Sequence, residues 1–343
     1  MNLDDRKIKI LQTIIRDYIE TAEPVGSRTL SKKYNLGVSA ATIRNEMADL
    51  EDLGYLIQPH TSAGRIPSDK GYRLYVDNLM EIKMIANLQR KNIKNNLVRQ
   101  FGEVEQLLQY SSKIISQLTN YTSAVLAPQI KENRIKHIQL VPIDTENIIT
   151  VMVTDTGIIK NPLVNVPEGI SYDKVEKVSN LLNKKLQGLT IKEIEGELLK
   201  ELEEELYEFN SLIGSVMPKL FNVLEGIEDV ELFLTGTTNI FNFPEFNDVF
   251  KAKTFLKMLE EKQKMGHLIS ASTDEGISIS IGSENLYQEA KECSLVTATY
   301  KINDNVIGKL SVIGPTRMDY SNVVGVMNQI SQYINELLRT RYR

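Results

Sequence analysis

The residues best suited to a chemical task lie early in the chain, over positions 39–45. The first four, Ser39-Ala40-Ala41-Thr42, have small side chains, so the backbone that carries them can approach another molecule closely. Arg44 and Asn45 follow; arginine forms paired hydrogen bonds with guanine, and asparagine forms them with adenine. These residue types in this order predict a surface that reads the edges of DNA bases.

A second group of polar residues lies at positions 60–65, which read His60-Thr61-Ser62-Ala63-Gly64-Arg65. Hydroxyl groups, a glycine and an arginine together suit contact with phosphate or with the minor groove. A simple solvent-exposed turn is the alternative interpretation. The residues predicted to bind DNA are Arg28, Ser39, Ala40, Thr42, Arg44, Asn45, His60, Thr61, Ser62, Arg65 and Arg73.

Three helices and a hairpin must position these side chains. The predicted helices end near residues 20, 34 and 53, and Ser39 is the expected cap of the third. Its apolar stripe of Ile43, Met47 and Leu50 leaves the base-reading residues on the outside. Two short extended segments follow around the polar tip, which completes the pattern of a winged helix-turn-helix.

The distribution of charge supports DNA binding locally. The 343-residue chain has 40 basic and 45 acidic residues, and its net charge of −5 excludes a basic nucleic-acid-binding tail. Residues 1–78 contain 11 basic and 11 acidic side chains, yet residues 26–44 contain four basic residues and no acidic one. The acids of the third helix begin at Glu46, towards an end turned away from phosphate. A protein-interaction module remains the alternative for this domain.

The sequence contains little that is typical of enzymes or metalloproteins. The single cysteine, Cys293, excludes a disulfide framework and a multi-cysteine zinc site. Asp155-Thr156-Gly157 matches half of an aspartic-protease site, but no second copy occurs, so we expect a hairpin turn there. We expect no enzymatic activity, no metal and no cofactor. The polar N-terminus and the lack of a long apolar run predict a cytoplasmic protein.

Beyond residue 78 the sequence alternates between helical and strand patterns. Residues 79–119 have a helical period, and residues 122–166 and 277–314 include segments that alternate as strands do. The stretch between them, residues 195–265, is mostly helical in pattern and contains 15 acidic residues against 7 lysines. The predicted fold is α+β and multidomain. Its predicted domains are 1–78, an α+β domain in two halves at 79–194 and 266–343, and an inserted segment at 195–265.

Several motifs together resemble one known family. The most specific is the run Pro59-His60-Thr61-Ser62-Ala63-Gly64-Arg65-Ile66-Pro67. The others are Ser39–Met47, Leu50–Leu56, Gly71–Arg73, Pro24–Ser27, Val306–Leu310 and Ile313–Tyr320. They span essentially the whole chain and resemble the bacterial heat-inducible transcription repressors, the HrcA family.

This resemblance implies a winged-helix domain joined to a GAF-like α+β domain, which a dimerisation segment interrupts. It also implies a homodimer that binds an inverted repeat, CIRCE, upstream of chaperone operons, and whose activity the GroEL chaperonin modulates. The acidic stretch at 195–265 matches the place of the family's insertion. Symmetry supports the same operator independently, since a dimer with two reading heads requires an inverted repeat.

Two further expectations concern other surfaces. GAF-like folds often hold small molecules, so a ligand-sensing regulator is the alternative function; it requires a pocket with converging polar groups. A Phe-rich stretch offers exposed apolar residues that could anchor the dimer or the chaperonin. These residues are Phe241, Phe243, Phe246 and Phe250.

Overall fold

The chain is a mixed α/β protein whose internal contacts separate into two compact units. The computed structural model describes residues 3–60, 63–99, 104–127, 134–155, 159–166, 171–194, 212, 214–219, 232–271, 276–302 and 305–341. The first unit comprises Met1–Leu126, Leu232–Tyr300 and Lys309–Leu337, and the second comprises Ala127–Glu231, Lys301–Gly308 and Leu338–Arg343. Within the described ranges, no helix is long and apolar enough to cross a membrane.

The first unit begins with three helices and a hairpin, as the sequence predicts. The helices are α1 (Asp5–Thr21), α2 (Ser27–Lys33) and α3 (Ala40–Asp52), and the antiparallel strands are β1 (Leu56–Ile57) and β2 (Ile66–Pro67). Asp4 caps α1 and Ser39 caps α3, each by accepting a hydrogen bond from a backbone amide three residues later, at 2.8 and 3.1 Å.

The segment after the hairpin differs from the prediction. Helix α4 (Asp69–Leu74) and a π-helical turn (Tyr75–Leu79) precede residues 80–86, which have no regular structure although the sequence predicted a helix from residue 79. The backbone there makes tertiary hydrogen bonds instead: the Lys83 amide donates to the Ser321 carbonyl at 3.3 Å. Helical structure resumes in α5 (Asn87–Arg99) and α6 (Val104–Thr119).

The remaining elements complete two sheets and their covering helices. The strands are β3 (Thr122–Leu126), β4 (Ile135–Pro142), β5 (Asn147–Thr154), β6 (Ile159–Lys160), β7 (Leu163–Asn165), β8 (Leu232–Thr235), β9 (Ile277–Ile281), β10 (Cys293–Ile302) and β11 (Asn305–Pro315). The helices are α7 (Tyr172–Leu186), α8 (Val249–Glu260), α9 (Lys262–Ser270) and α10 (Tyr320–Arg341).

The larger sheet belongs to the first unit and has the strand order β8-β3-β11-β10-β9. Strand β3 is buried along its whole length and pairs antiparallel with both β8 and β11. Helix α6 packs on β3 and β8, and α10 adds a buried face that includes Val323, Met327 and Ile330. The core of the first unit therefore lies between this sheet and its helices.

The second unit is built on a separate sheet, in which β5 pairs antiparallel with β4, β6 and β7. One face of this sheet and helix α7 share an apolar core. On α7, Asn183 and Ser179 accept hydrogen bonds from the amides of Ile138 and Leu140, at 2.7 and 3.2 Å. These bonds cover the backbone edge of β4 that pairs with no strand among the described residues, which protects this edge from pairing with another chain.

The two units do not coincide with the predicted domains. The sequence placed an insertion at 195–265, whereas the structure groups 127–231 together and assigns 232–265 to the first unit. Strand pairing is the reason: β8 pairs with β3, with Ser123 opposite Thr235, and so belongs to the larger sheet. Composition marks an acidic stretch but does not indicate which strands pair. Most of residues 195–231 lie outside the described residues.

Candidate nucleic-acid interface

Helix α3 has one buried face and one exposed face. Ile43 and Leu50 are 0% exposed, whereas Arg44 and Asn45 are exposed and Thr42 is half-buried. The helical period puts the buried residues on one side, so the residues between them face outward. The side chains predicted to read bases are therefore arranged on the accessible side of α3.

The N-terminal end of α3 is fixed by its cap. The Ser39 hydroxyl accepts a hydrogen bond from the Thr42 amide, and the hydroxyl oxygens of these two residues lie 3.0 Å apart. The first turn contains no acidic residue, and Ala40 beside the cap adds little bulk. Because a helix N-terminus carries partial positive charge, an anionic partner meets a favourable field and little steric hindrance here.

The acidic residues of α3 are neutralised against α1. Glu46 is buried and its carboxylate lies 2.7 Å from the Lys7 ammonium, which is also 3.0 Å from Asp49. The hydrogen bonds that Lys7 donates to Glu46 and then to Asp49 raise the pKa of Lys7 above its ordinary value. Glu46 follows Arg44 by two positions, roughly the opposite side of a helix, so these acids do not oppose an anion beside Arg44.

A buried acid joins α1 to the end of α2. Asp17 is 4% exposed and accepts hydrogen bonds from the Lys33 ammonium at 2.5 Å and the Tyr34 hydroxyl at 2.8 Å. The bond to Asp17 is the main cause that raises the pKa of Lys33. Lys33 therefore stabilises the helix pair, whereas Arg28 at the start of α2 is exposed.

Arg65 ties the hairpin to both neighbouring elements. Its amide and carbonyl each form a hydrogen bond with Val25, both at 2.9 Å, and a Cβ on Gly64 would lie 2.4 Å from the Val25 carbonyl. Residue 64 must therefore be glycine for this approach. The Arg65 guanidinium lies 2.7 Å from Glu51 of α3, and its side chain is 19% exposed. Only part of Arg65 reaches the surface.

The tip of the hairpin is only partly described. His60 is exposed, and its carbonyl accepts a hydrogen bond from the Ala63 amide at 2.9 Å. The predicted contacts Thr61 and Ser62 lie outside the described residues. The module of α1, α2, α3 and the hairpin thus contains every predicted contact residue that the structure describes, with one exception.

That exception is Arg73, whose guanidinium is engaged by other residues of the first unit; its contact with DNA stays a prediction. Its guanidinium donates to both oxygens of Glu284, at 2.9 and 2.5 Å, to the Ile279 carbonyl at 2.6 Å and to Asp77 at 3.0 Å. The bonds to Glu284 are the largest cause that raises the pKa of Arg73. Glu284 lies 211 residues away in the chain, so no local pattern could indicate it.

Asp69 also has a distant partner, and no sequence pattern singles it out. Its carboxylate accepts hydrogen bonds from the amide and the hydroxyl of Ser283, at 2.9 and 2.8 Å. An aspartate at the start of a helix is ordinary in sequence, so it gave no reason to look for a distant partner.

The Phe-rich stretch divides into buried and exposed residues. Phe246 is 3% exposed, and Phe243 stacks on the Tyr121 ring with the centroids 5.1 Å apart. Both therefore pack within the first unit, and the expectation that they are exposed is wrong. Phe241 and Phe250 are 53% and 81% exposed, as expected.

Phe241 also lines a groove of 910 Å³ along α8. Its wall is largely apolar, with Val249 and Leu256 among the lining side chains, and Lys253, Lys257 and Glu260 add charges of both signs. Val249 is itself 76% exposed. The groove is thus continuous with an exposed apolar surface. Exposed apolar patches of this kind are typical of interaction sites.

The described residues offer neither a metal site nor an activated thiol. Among the described residues, no cluster of histidine, cysteine, aspartate or glutamate is arranged to hold a metal ion. Cys293 is 2% exposed, and burial raises the pKa of its thiol to about 12. A thiol of this kind is not an activated nucleophile.

Comparison with known proteins gives the class. A family model described as the HrcA protein C-terminal domain matches residues 105–324. The heat-inducible transcription repressor HrcA of Alkaliphilus metalliredigens is 61% identical over 100% of both chains. That of Clostridium tetani is 46% identical over 99% of this chain and 97% of its own length. These matches define a family of transcription repressors, not of enzymes.

The chain belongs to this family, HrcA. A solved structure described as a hypothetical protein, at 26% identity, covers 99% of both chains with a TM-score of 0.63. The likeness therefore extends over both units of the fold.

We predict that Cys293 does not react with thiol reagents in the folded protein at pH 8. A raised pKa leaves almost no thiolate at that pH, and the thiolate is the reactive form. Ellman's reagent should detect no thiol in buffer and, since the chain has one cysteine, one per chain after denaturation. Rapid reaction of the folded protein would contradict the buried setting.

Proposed function

We propose that this protein is a dimeric, DNA-binding repressor of heat-shock chaperone operons, which acts in the cytoplasm. In this proposal the first 78 residues form a winged helix-turn-helix that binds an inverted-repeat operator, and the rest of the first unit is GAF-like. The observation that carries the proposal is the outward placement of Arg44 and Asn45 on α3. Membership of the HrcA family supports it.

The geometry of α3 suits the major groove, which admits one α-helix. Arg44 and Asn45 would form paired hydrogen bonds with base edges, and Thr42 would contact a base or its methyl group. Ser39 and Ala40 allow the capped end to approach the backbone closely. Small residues at the entering end and neutralised acids behind it both favour this docking.

The contacts to phosphate would come from the flanking elements. Arg28 is exposed on α2, and His60 is exposed at the hairpin tip, so both suit positioning contacts that carry no sequence information. Thr61 and Ser62 stay predicted contacts at the same tip. The ion pair with Glu51 holds the Arg65 guanidinium, so that only one edge of it would reach phosphate.

We predict that Arg44→Ala weakens binding by about 1–3 kcal/mol and relaxes preference at one base position. The lost interaction is a paired hydrogen bond to one base, so a wrong base at any other position should still reduce the affinity as it does for the wild type. Binding titrations on operators with single-base changes measure this effect.

The matched control is Arg339→Ala, which removes an exposed arginine from α10 and should leave both affinity and preference unchanged. An Arg44→Ala protein with an unaltered base preference would sink the assignment of Arg44 as a base-reading residue.

For the dimer, the second unit offers an apolar sheet surface. Residues on β5 that alternate with the core residues are half-buried. Their apolar cross-strand neighbours, Val141, Ile159 and Leu163, are 42–58% exposed, and the polar neighbours His137 and Gln139 lie beside them on β4. We call this the outer sheet face: Val141, Ile149, Val151, Val153, Ile159 and Leu163. An apolar face of β-branched and leucine side chains is suited to burial against an identical face across a twofold axis.

We predict that Val151→Asp, at the middle of the outer sheet face, weakens dimerisation at least about tenfold, because a carboxylate would be buried without a partner. Sedimentation velocity over a dilution series measures the dissociation constant. Leu286→Asp is the control, since Leu286 is an apolar residue of the first unit that is 69% exposed. Dimers that survive Val151→Asp would refute this interface.

The apolar groove along α8 supports the proposed modulation by the GroEL chaperonin. A chaperonin binds exposed apolar surface, and Phe241, Val249 and Phe250 supply it. A small-molecule site is the alternative for the same groove. The exposed residues beside it favour a macromolecule, because a small ligand would leave most of that surface uncovered.

We predict that chaperonin raises operator binding by the wild-type protein and that Phe250→Ser abolishes the rise, since it removes the most exposed aromatic side chain beside the groove. Basal operator binding should not change. Gel-shift titration with and without chaperonin measures both quantities, with Leu286→Ser as the control. A Phe250→Ser protein that still responds fully would exclude this surface.

A further inference from the structure

Helix α4 lies directly after the hairpin and is held to a distant part of the first unit. Five hydrogen bonds join the two: two from Arg73 to Glu284, one from Arg73 to the Ile279 carbonyl, and one each from the amide and the hydroxyl of Ser283 to Asp69. We call these residues, Asp69, Arg73, Ile279, Ser283 and Glu284, the α4 latch.

The receiving side of the latch is shaped for α4. Gly282 has a φ of +52°, and a Cβ there would lie 2.4 Å from the Asp69 carboxylate oxygens. Glycine therefore allows the turn after β9 to present the Ser283 amide and hydroxyl to Asp69. Glu284 is held in turn by the Ile281 amide, which donates to its carboxylate at 2.8 Å. Its oxygens are thus aligned for the guanidinium of Arg73.

Two further contacts hold the same module against the same part of the unit. Arg317 is 8% exposed and donates to the carbonyl of Ile19, near the end of α1, at 3.0 Å. The buried rings of Tyr72 on α4 and Tyr320 on α10 lie with their centroids 5.9 Å apart. The three-helix module is therefore attached at both α1 and α4.

We infer that the α4 latch sets the direction in which each α3 helix points, so that Arg73 is a positioning residue for operator spacing. This inference rests on the proposed function. Two half-sites of an inverted repeat lie at a fixed distance and rotation, so two reading helices bind together only when each is held at the matching angle. Paired arginine–carboxylate bonds fix orientation as well as distance. A module that was joined to the rest of the first unit only through the irregular segment 80–86 would have no fixed orientation.

The first experiment compares a full inverted repeat, an isolated half-site, and a repeat lengthened by about half a helical turn, or five base pairs. Arg73→Ala should weaken binding to the full repeat about tenfold, because heads held by fewer contacts sample a wider range of angles and so lose effective concentration. Binding to the half-site should stay within about twofold of the wild type. The loss of affinity caused by lengthening the repeat should be smaller for Arg73→Ala than for the wild type.

A second variant separates positioning from direct DNA contact. Glu284→Gln keeps the shape of the side chain but removes the charge that holds Arg73. Under the latch it should behave as Arg73→Ala does. If Arg73 instead contacts DNA, releasing it should strengthen binding to the half-site and to the full repeat alike, which would overturn the inference.

Lys251→Ala is the matched control, since it breaks an ion pair with Glu292 that lies wholly outside α1–α4. Arg73→Lys should restore part of the difference in affinity between the full repeat and the lengthened repeat. Equal losses of half-site and full-repeat binding in Arg73→Ala, or no change in either, would contradict the positioning role.

A measurement without DNA keeps the latch testable if the operator proposal itself fails. Spin labels at Lys32 and Lys253, two exposed positions of the first unit, report the distance between the module and α8. The wild type should give a narrow distribution, and Glu284→Gln a broad one. An unchanged distribution in Glu284→Gln would overturn the latch, whereas a wild type without preference for the repeat would overturn the proposed function.

Discussion

The burial of one face of α3 is the constraint on which the interface depends. Ile43 and Leu50 are removed from water on one side, and the period of the helix then leaves Arg44 and Asn45 on the other. The ion pairs of Lys7 hold α1 against the same buried side and neutralise Glu46 and Asp49. Packing and electrostatics therefore act together, since packing exposes Arg44 and Asn45 and the ion pairs with Lys7 offset the charge of the nearest acids.

The sequence predicts this module well because its signals are local. A capping serine, an apolar period of three and four, and glycines at turns each act within a few residues, and the helices and hairpin lie where these signals put them. The limits of the prediction are equally physical. Residues 80–86 leave the helical pattern because their backbone bonds with Ser321. Arg73 looked like one more basic contact because its carboxylate partner is remote in sequence.

The division of the chain into units shows the same limit on a larger scale. Composition marked 195–265 as distinct, but the pairing of β8 with β3 assigns 232–235 to the larger sheet. In the separate sheet, the alternating pattern predicts β4 and β5 as strands but does not indicate that they belong to a second unit. Both the sheet pairing and the α4 latch depend on residues that are far apart in the sequence, which composition alone does not indicate.

The most direct test of the central claim is a titration of the purified protein on the inverted repeat and on a scrambled duplex, each at two salt concentrations. We expect tight binding to the repeat alone. We also expect the affinity to fall as salt rises, because phosphate contacts release counterions. The Arg44→Ala protein should show a smaller difference in affinity between the two duplexes, because one base position is no longer read. Equal, weak binding to both duplexes by a folded, dimeric preparation would contradict the claim that α3 reads an operator.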